Sequence, residues 1–249
     1  MQSAKLQLKM QNHQTRLLYK QQLTNDVFLF RFQLIEPLVL TFKAGQYMIL
    51  LVSQMGKEPL RRLYSIASSE KQVDSFEMII KLVEGGNGSD YLKKLQIGDE
   101  ANFQGPAGQF GLKVNQNNKV FLATGTGIAP MMSMIEAVIS RQLTVSTVLL
   151  WGVATAKDVF FLDRLKQLKE DNFNFDFKVC LSREKDLSTI DTNDRQFFHL
   201  GHINSLIIPN PYLLTTDYYI CGRREMVEGL RMELEGLGVG KERVCFERF

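Results

Sequence analysis

Apolar residues in the first part of the chain form short runs that are separated by turns. The clearest runs are Val27–Phe32, Tyr47–Val52 and Phe76–Val83. Runs of this length, bounded by glycines such as Gly45 and Gly98, are typical of β-strands. Their regular spacing predicts an antiparallel barrel, closed or nearly closed, with one short helix at about Gly88–Leu95.

The pattern changes after a polar stretch at residues 115–118, which we interpret as a linker. Apolar runs now alternate with helical periodicity. The runs are Lys119–Ala123, Thr147–Trp151, Phe175–Leu181 and Tyr218–Cys221, and the helical segments extend to about Arg141, over Asp158–Lys169 and over Arg224–Leu237. This alternation predicts a parallel, doubly wound sheet. The sequence therefore predicts an α+β protein with a barrel domain at residues 1–114 and an α/β domain at residues 115–249.

The composition and charge of the chain limit the kinds of partner that it is expected to bind. The chain has 249 residues, of which 45% are hydrophobic and 23% charged, values typical of a globular protein. A net charge of +3, without any basic run, argues against a nucleic-acid partner. The longest apolar region, residues 120–139, is interrupted by Gly125, Gly127 and Pro130, so no membrane span is expected.

Cysteines and histidines give no metal motif. Cys180, Cys221 and Cys245 are widely spaced, which argues against a disulfide framework, an iron–sulfur cluster and a zinc site. His199 and His202 are three residues apart, but Gly201 interrupts any shared helical face, and we predict no metal there. The first fourteen residues are polar, so no signal peptide is expected and a cytoplasmic location is predicted.

The most informative segment is Arg62-Leu63-Tyr64-Ser65. Side chains alternate along a strand, so Arg62 and Tyr64 point to one face and Ser65 to the other. An arginine can hold a phosphate, a tyrosine can lie along a ring system, and a serine can bond a ring heteroatom. These are the groups needed to hold a flavin nucleotide, although an ordinary edge strand with an exposed arginine has the same pattern.

Two glycine-rich segments are candidate phosphate sites. The first, Gly85–Leu92, places free backbone N–H groups before a helix start, with Ser89 as the expected N-cap. The second, Thr124–Pro130, follows an apolar strand and opens a helix, as in dinucleotide-binding turns, but it lacks the third glycine of that fingerprint. Either segment alone is also compatible with a plain loop.

Cys221-Gly222 closes a predicted parallel strand, where ligands of such sheets bind. The glycine permits close approach of a ring, but Cys221 is equally compatible with a small buried apolar residue. The aromatic residue Phe249, two positions after Glu247, could cover a flat cofactor, although terminal residues are more often frayed.

Taken together, these segments resemble the ferredoxin–NADP reductase family from Gly45 to Phe249. The motifs that carry the resemblance, in chain order, are Arg62-Leu63-Tyr64-Ser65, Gly86-x-x-Ser89, Gly105-Pro106-x-Gly108-x-Phe110, Thr124-Gly125-Thr126-Gly127-Ile128-Ala129-Pro130, Cys221-Gly222 and Glu247-x-Phe249. The chain departs from plant-type members in having phenylalanine instead of tyrosine at position 249, and no four-cysteine ferredoxin segment is present.

The resemblance implies a six-stranded antiparallel FAD-binding barrel followed by an NAD(P)-binding parallel-sheet domain. It implies that Ser65, Cys221, Glu247 and Phe249 act where the nicotinamide meets the flavin. The cofactor-binding residues that it implies are Arg62, Leu63, Tyr64, Ser65, Ile79, Ile80, Lys81, Asn87, Gly88, Ser89, Thr124, Gly125, Thr126, Gly127, Pro130, Ser182, Arg183, Cys221, Gly222 and Phe249. Among these, Ser182 and Arg183 favour NADP(H), with Arg195 as a possible helper, although relatives that use NAD(H) share the Ser-Arg pair.

The resemblance further implies an FAD-dependent NAD(P)H oxidoreductase that exchanges electrons with ferredoxin or flavodoxin. The alternatives are a reductase of free flavin and the reductase subunit of an oxygenase system. Basic residues at Lys57, Arg61, Lys93 and Lys94 could steer an acidic carrier, or form only a solvated face. The sequence is compatible with a monomer and leaves the acceptor open.

Overall fold

The computed structural model describes residues 10–207 and 213–249, so most of the polar stretch judged for a signal peptide lies outside the described residues. The first sheet is antiparallel with six strands in the order β4-β3-β6-β1-β2-β5. Its strands are β1 (Gln11–Gln22), β2 (Val27–Glu36), β3 (Tyr47–Gln54), β4 (Lys57–Ser65), β5 (Ser75–Lys81) and β6 (Glu100–Ala107). The predicted six-stranded antiparallel fold is confirmed.

The barrel closes around an aromatic core. Along β2, Phe30 and Phe32 point inward while Arg31 faces out, as strand alternation requires. The ring centroids of Phe32 and Phe103 lie 4.9 Å apart. Where β4 ends beside β5, the two edges are joined by the Ala67 N–H, which donates to the Glu77 carbonyl at 2.8 Å. The edges of the sheet therefore meet on the side where β4 ends.

The short helix α1 (Asn87–Lys94) follows β5, within one residue of the predicted bounds. Ser89 is not its N-cap, contrary to expectation, because Gly86 occupies that position. Instead, the Ser89 Oγ accepts a hydrogen bond from the Val83 N–H at 2.9 Å. Ser89 therefore ties the helix to the end of β5, because its hydroxyl points back toward the incoming chain rather than along the helix axis.

The second sheet is parallel, with strand order β10-β9-β8-β7-β11-β12. Its strands are β7 (Asn118–Thr124), β8 (Thr147–Val153), β9 (Phe175–Leu181), β10 (Phe198–Leu200), β11 (Thr216–Gly222) and β12 (Val244–Arg248). Helices α2 (Ile128–Ser140), α3 (Leu162–Asp171) and α4 (Arg224–Gly236) connect them. The predicted α/β class of the second half is confirmed.

Helix α3 begins at Leu162, four residues later than predicted. Asp158 instead completes a capping box with Thr155 that closes a single 3₁₀ turn at Ala156–Asp158. Phe161 then adopts a left-handed backbone with φ of 63°, which separates this turn from the helix. The apolar periodicity correctly predicts that Leu165 is buried. It does not separate the 3₁₀ turn from the helix that follows, so the two elements were predicted as one.

The two halves of the protein share an apolar core. One apolar core contains Phe121, Trp151 and Tyr219 of the parallel sheet and continues to Leu29 and Ile79 of the barrel. Ion pairs at the rim add to this contact: Arg141 to Glu70 at 2.6 Å and Arg164 to Glu77 at 3.7 Å. The two halves are therefore joined by a shared apolar core and by ion pairs at its edge.

The linker is fixed to the parallel sheet. The side chains of Asn115 and Asn117 donate to the two carboxylate oxygens of Asp217, at 2.9 and 3.2 Å. Asp217 also pairs at 2.9 Å with Lys119, and both side chains are buried. The stretch that we interpreted as a linker is thus held by a buried ion pair at the start of β7 and β11.

Within residues 10–207 and 213–249, no helix is long and apolar enough to cross a membrane. The same residues contain no group of three or more His, Cys, Asp or Glu side chains arranged to hold a metal. His199 lies on β10 rather than on a helix, and its Nε2 is 2.8 Å from the Ser205 Oγ.

Candidate active site

The site lies where the end of β4 meets α1 on one side and the parallel sheet on the other. Arg62 and Tyr64 face the same way along β4, and Gly88 of α1 packs against both. A Cβ added at Gly88 would lie 2.8 Å from the Arg62 Cγ and 3.0 Å from the Tyr64 hydroxyl oxygen. Only glycine leaves room for these two side chains to reach across the start of the helix.

This corner fits a nucleotide that carries a diphosphate. The first N–H groups of α1 lack partners within the helix and face anions favourably. Arg62, which packs against Gly88 at this turn through its Cγ, supplies a positive charge; it is half-buried, and its Nη1 donates to the Arg61 carbonyl at 2.9 Å. Burial raises the pKa of the Tyr64 hydroxyl, against an opposing effect of the Arg62 charge, so Tyr64 stays protonated and able to donate. Asn87 and Ser89 flank Gly88 on the same turn, while Leu63 points away and is exposed.

The β5 residues Ile79, Ile80 and Lys81 contribute in a different way from the side chains of β4. Ile79 and Ile80 are buried in two different apolar cores, and Lys81 pairs with Asp26 at 2.9 Å. Because β5 is an edge strand, the backbone on its outer side beyond Glu77, which is bonded to Ala67, has no ladder partner within the first sheet. What this segment can offer a ligand is therefore its backbone.

The glycine turn of the parallel sheet is packed tightly against β11. Thr124 ends β7, and Gly125–Gly127 forms a 3₁₀ turn before α2. A Cβ at Gly127 would overlap the Cys221 carbonyl, and a Cβ at Gly222 would overlap the Thr124 Oγ1. The two glycines therefore let the turn, the end of β7 and the end of β11 meet without side chains between them.

Two further features of this turn concern its polar groups. The Thr124 Oγ1 is buried and has no hydrogen-bond partner among the described residues. A buried hydroxyl of this kind has a free donor and acceptor, which a bound cofactor can satisfy. The Trp151 Nε1 donates to the Gly125 carbonyl at 2.9 Å, and this hydrogen bond ties the turn to β8. Thr126 is half-buried on the turn, and Pro130 is buried in the first turn of α2.

Ser65 and Glu247 connect the barrel with the last strand. The Ser65 Oγ donates to the Glu247 Oε2 at 3.4 Å, across 182 positions of sequence. Glu247 stands opposite Cys221 in the parallel register of β11 and β12. Ser65, Cys221 and Glu247 are therefore placed together by a contact between the two sheets.

The electrostatics of this cluster favour uncharged groups. Burial raises the pKa of Glu247, and the hydrogen bond from Ser65 opposes that shift only in part. Burial, followed by the nearby Glu247 charge, raises the pKa of the Cys221 thiol well above its ordinary range. Cys221 is therefore a neutral, buried thiol. The hydroxyl, thiol and carboxyl of this cluster can therefore hydrogen-bond to a bound ring or exchange a proton with it. None of them needs to carry a permanent charge to do so.

Phe249 lies at the rim of this cluster. Its backbone N–H donates to the Gly222 carbonyl at 3.2 Å, and its ring is 65% exposed. The backbone is thus fixed next to Cys221-Gly222 while the ring stays largely in solvent.

The residues expected at the coenzyme end lie beyond β9. Ser182 and Arg183 are held by backbone bonds to the Val153 and Ala154 carbonyls, at 3.1 and 2.9 Å. The Arg183 side chain is exposed, and among the described residues it has no carboxylate partner. Arg195 lies in a 3₁₀ turn, where its Nε donates to the Ile190 carbonyl at 3.2 Å. A free guanidinium at the end of a parallel strand is suited to a phosphate group.

Comparison with known proteins agrees with this geometry. The model of the oxidoreductase FAD-binding domain matches residues 14–112, and that of the oxidoreductase NAD-binding domain matches residues 121–232. Ferredoxin–NADP reductase B of Sorangium cellulosum is 30% identical over 218 residues, which are 84% of this chain and 85% of that protein. The reductase component of propane 2-monooxygenase from Mycolicibacterium smegmatis is 29% identical over 91% of this chain, which spans 64% of that relative.

Among solved structures, a ferredoxin NADP⁺ reductase from Neisseria gonorrhoeae with bound FAD and NADP superposes with a TM-score of 0.76. It is 25% identical, and the match covers 95% of this chain and 98% of that one. The two domain models, the barrel with its glycine-lined corner and the parallel sheet with its glycine turn lead to one assignment. The chain belongs to the ferredoxin–NADP reductase family, with an FAD-binding domain followed by an NAD-binding domain.

Proposed function

We propose that this chain moves a hydride between nicotinamide C4 and flavin N5 at the Ser65–Glu247 cluster and exchanges single electrons with a separate carrier protein. The observation that carries the proposal is the 3.4 Å contact between Ser65 of the barrel and Glu247 of the parallel sheet. It brings polar groups from both cofactor-binding halves to one point. FAD, when bound, supplies the redox chemistry, and the chain supplies geometry and electrostatics.

We assign the FAD contacts as follows. Arg62 and the α1 start at Asn87, Gly88 and Ser89 hold the diphosphate, and Tyr64 lies beside the ring system. The close packing of Gly88 against Arg62 and Tyr64 supports this assignment. The backbone of Ile79–Lys81 and the residue Leu63 line the rest of the barrel side, and Thr124 uses its free hydroxyl toward the cofactor from the other half.

The residues that would hold the coenzyme belong to the parallel-sheet half of the chain. Gly125, Thr126, Gly127 and Pro130 receive its pyrophosphate at the α2 start, and Cys221-Gly222 accommodates the nicotinamide. Ser182 and Arg183 hold the 2′-phosphate of NADPH. The FAD-binding half corresponds to a domain at residues 1–114, and the coenzyme-binding half to a domain at residues 115–249.

Ser65, Cys221 and Glu247 act on protons and position rather than as nucleophiles. The buried thiol of Cys221 is neutral and leaves space for a ring next to Gly222. Burial raises the pKa of Glu247, so its carboxyl takes up a proton more readily than an exposed carboxyl does, next to the Ser65 hydroxyl that donates to it. The cluster therefore excludes water and orients the reacting groups, which must come within about 3–3.5 Å of each other.

For the carrier, we propose an acidic protein such as a ferredoxin or a flavodoxin. Lys57, Arg61, Lys93 and Lys94 are exposed on the β4 and α1 side of the molecule, where they give the cofactor corner a positive surface. The similarity to the reductase component of propane 2-monooxygenase favours a second candidate, the reductase component of an oxygenase. Both readings use the same site, and the protein is proposed to work in the cytoplasm as a monomer.

The deciding experiment is an anaerobic titration of the purified chain with NADPH and, in parallel, with NADH. Bleaching of a bound-flavin band at much lower concentration of one coenzyme is expected, and Arg183→Ala should raise the KM for NADPH far more than for NADH. Equal effects on the two coenzymes would remove the 2′-phosphate role from Arg183. A flavin band that neither coenzyme bleaches would reject the proposed reaction.

Gel filtration tests the remaining alternative, reduction of free flavin. We expect FAD to stay with the chain through the column, because Arg62 and the α1 start grip it. Gly88→Ala should weaken this retention, because the added Cβ displaces Arg62. A chain that elutes colourless but reduces added flavin would favour the free-flavin reductase.

A further inference from the structure

Lys20 of β1 makes an unusual set of contacts with the far end of α1. Its Nζ donates to the carbonyl oxygens of Leu92, Lys93 and Leu95, at 3.0, 2.8 and 2.9 Å. The last carbonyls of a helix lack partners within the helix and carry its partial negative charge. One ammonium group therefore satisfies three acceptors in the last turn and compensates the dipole of α1.

The position of Lys20 is fixed by the barrel. Lys20 stands opposite Phe30 in the antiparallel register of β1 and β2, and its Nζ lies 5.8 Å from the Phe30 ring centroid. Phe30 is fully buried in the barrel core. Lys20 is only partly buried, and the polar partners of its ammonium among the described residues are backbone carbonyls rather than carboxylates. The contact is thus a link from the barrel wall to the helix.

Helix α1 has only 8 residues, so its stability depends on each contact that it makes with the rest of the protein. Ser89 holds its first turn through the Val83 N–H, and the fully buried Leu92 packs it against the barrel core. Lys20 holds its last turn. Short helices are marginal on their own, and tertiary contacts decide whether they form.

We propose that Lys20 is a positioning residue for the diphosphate of FAD and acts through α1. By holding the last turn, it fixes where the N–H groups of Asn87 and Gly88 stand relative to Arg62. This inference rests on the proposed diphosphate site at the α1 start. Lys20 itself lies at the opposite end of the helix and touches no part of that site.

The test compares FAD with riboflavin, which has the same ring but no diphosphate. The full chain carrying Lys20→Met, Lys20→Arg or Arg16→Met is titrated with each flavin, and the dissociation constant is taken from flavin fluorescence. Arg16 is the matched control, because it is an exposed cation on β1 whose contact is a 3.5 Å pair with Glu100. Hydrogen exchange of residues 86–95 is measured on the same samples.

We expect Lys20→Met to weaken FAD roughly tenfold, as removal of a partly buried cation at a helix end implies, and to leave riboflavin unchanged. Amide exchange in residues 86–95 should become faster, Lys20→Arg should restore most of the FAD affinity, and Arg16→Met should match wild type. Unchanged FAD affinity, or equal losses for FAD and riboflavin, overturns the proposal for Lys20. If Lys20→Met does not fold, Lys20→Gln takes its place under the same criteria.

The same data separate this inference from the proposed function. Wild-type chain that binds riboflavin as tightly as FAD would reject the diphosphate site itself. Wild-type chain that prefers FAD strongly, together with a normal Lys20→Met, would reject only the role of Lys20.

Discussion

The hydroxyl of Ser65 donates to the carboxyl of Glu247 at 3.4 Å, and this bond joins the end of an antiparallel strand to the last strand of a parallel sheet. The two sheets that carry these residues share one apolar core, which contains Phe121 and Tyr219 of the parallel sheet together with Ile79 of the barrel. The relative position of Ser65 and Glu247 is thus set by the contact between the two sheets.

Ser65 and Glu247 should behave as one unit in kinetics. We expect Ser65→Ala and Glu247→Ala each to lower the rate of flavin reduction by NADPH roughly 10- to 100-fold, because the reacting groups lose their alignment. The double variant should lose little more than either single variant, since the shared bond is already absent. Stopped-flow measurement of flavin bleaching checks this, and multiplicative losses would show that the two residues act independently.

Glu247 should also make stability depend on pH. Because burial raises its pKa above the ordinary value of 4.5, its stabilising contribution is fully present below that value and is lost as pH rises through the folded-state pKa. Glu247→Gln removes the titration. We therefore expect the free energy of unfolding of Glu247→Gln, relative to wild type, to increase as the pH rises from about 4.5 through the folded-state pKa of Glu247.

Urea unfolding at several pH values measures this difference. Glu235→Gln, a change at an exposed carboxyl, is the control for loss of one negative charge. A Glu247→Gln curve that runs parallel to wild type across the range would contradict a raised pKa at Glu247.

Gly222 and Gly229 should respond to alanine in opposite directions. An alanine Cβ at Gly222 would overlap the Thr124 Oγ1 and the Met226 Cε, so we expect a loss of about 1–3 kcal/mol in stability and weaker coenzyme binding. Gly229 lies in α4 with open space around it, so Gly229→Ala should gain about 0.5–1 kcal/mol. Thermal unfolding and the KM for NADPH check both, and recovery in Thr124→Ala/Gly222→Ala would identify the clash.

The buried pair of Asp217 and Lys119 should be costly to break. Asp217→Asn leaves the ammonium of Lys119 without its charge partner in a fully buried place, so we expect a loss of about 3–5 kcal/mol in the free energy of unfolding. Glu235→Gln, which breaks an exposed pair with Lys241, should cost less than about 1 kcal/mol. Equal effects in urea unfolding would show that burial does not decide the contribution of these pairs.

Asp217 also predicts acid sensitivity. Burial acts to raise its pKa, but the hydrogen bonds from Lys119, Asn115 and Asn117 outweigh burial and hold the pKa below 3.8. Its contribution is therefore present above that value and is lost as pH falls through the folded-state pKa. Wild type should lose stability in this acid range, and Asp217→Asn should lose less over the same range.

Phe249 should gate the coenzyme. Its ring is largely exposed while its backbone is bound to Gly222, so the ring can move aside without unfolding the strand. Removal of Phe249 should lower the dissociation constant of the coenzyme and reduce the preference between NADPH and NADH. Phe249→Tyr, which keeps a ring, is the control, and coenzyme titration of the oxidised flavoprotein is the measurement. Unchanged affinities would remove the gating role.

The sequence predicted what depends on local pattern. The class of both sheets followed from apolar runs and glycine turns, because burial on one or two faces leaves a period in the residues themselves. The turn at Gly125–Gly127 was located because it directly follows an apolar strand. The start of α3 was misplaced because Leu165 and its neighbours share a period with the preceding 3₁₀ turn.

Contacts between distant segments were not accessible in this way. The strand β12 is formed by pairing with β11, and nothing in residues 244–248 alone specifies that partner. Strand β1 is rich in glutamine and lacks the apolar alternation that would predict a strand, because its inward-facing residues include the polar His13 and Thr15. Lys20 carries no motif, since its acceptors are backbone carbonyls more than 70 positions away.

Trp151 is the one tryptophan of the chain, and its indole N–H is bonded to the carbonyl of Gly125. Any opening of the glycine turn must therefore break or lengthen a bond to the dominant ultraviolet emitter of the protein. The chain thus contains a label-free optical reporter of the turn that we propose as its coenzyme loop. Changes in emission wavelength on mixing can time the arrival and departure of the nucleotide, separately from the colour change of the flavin.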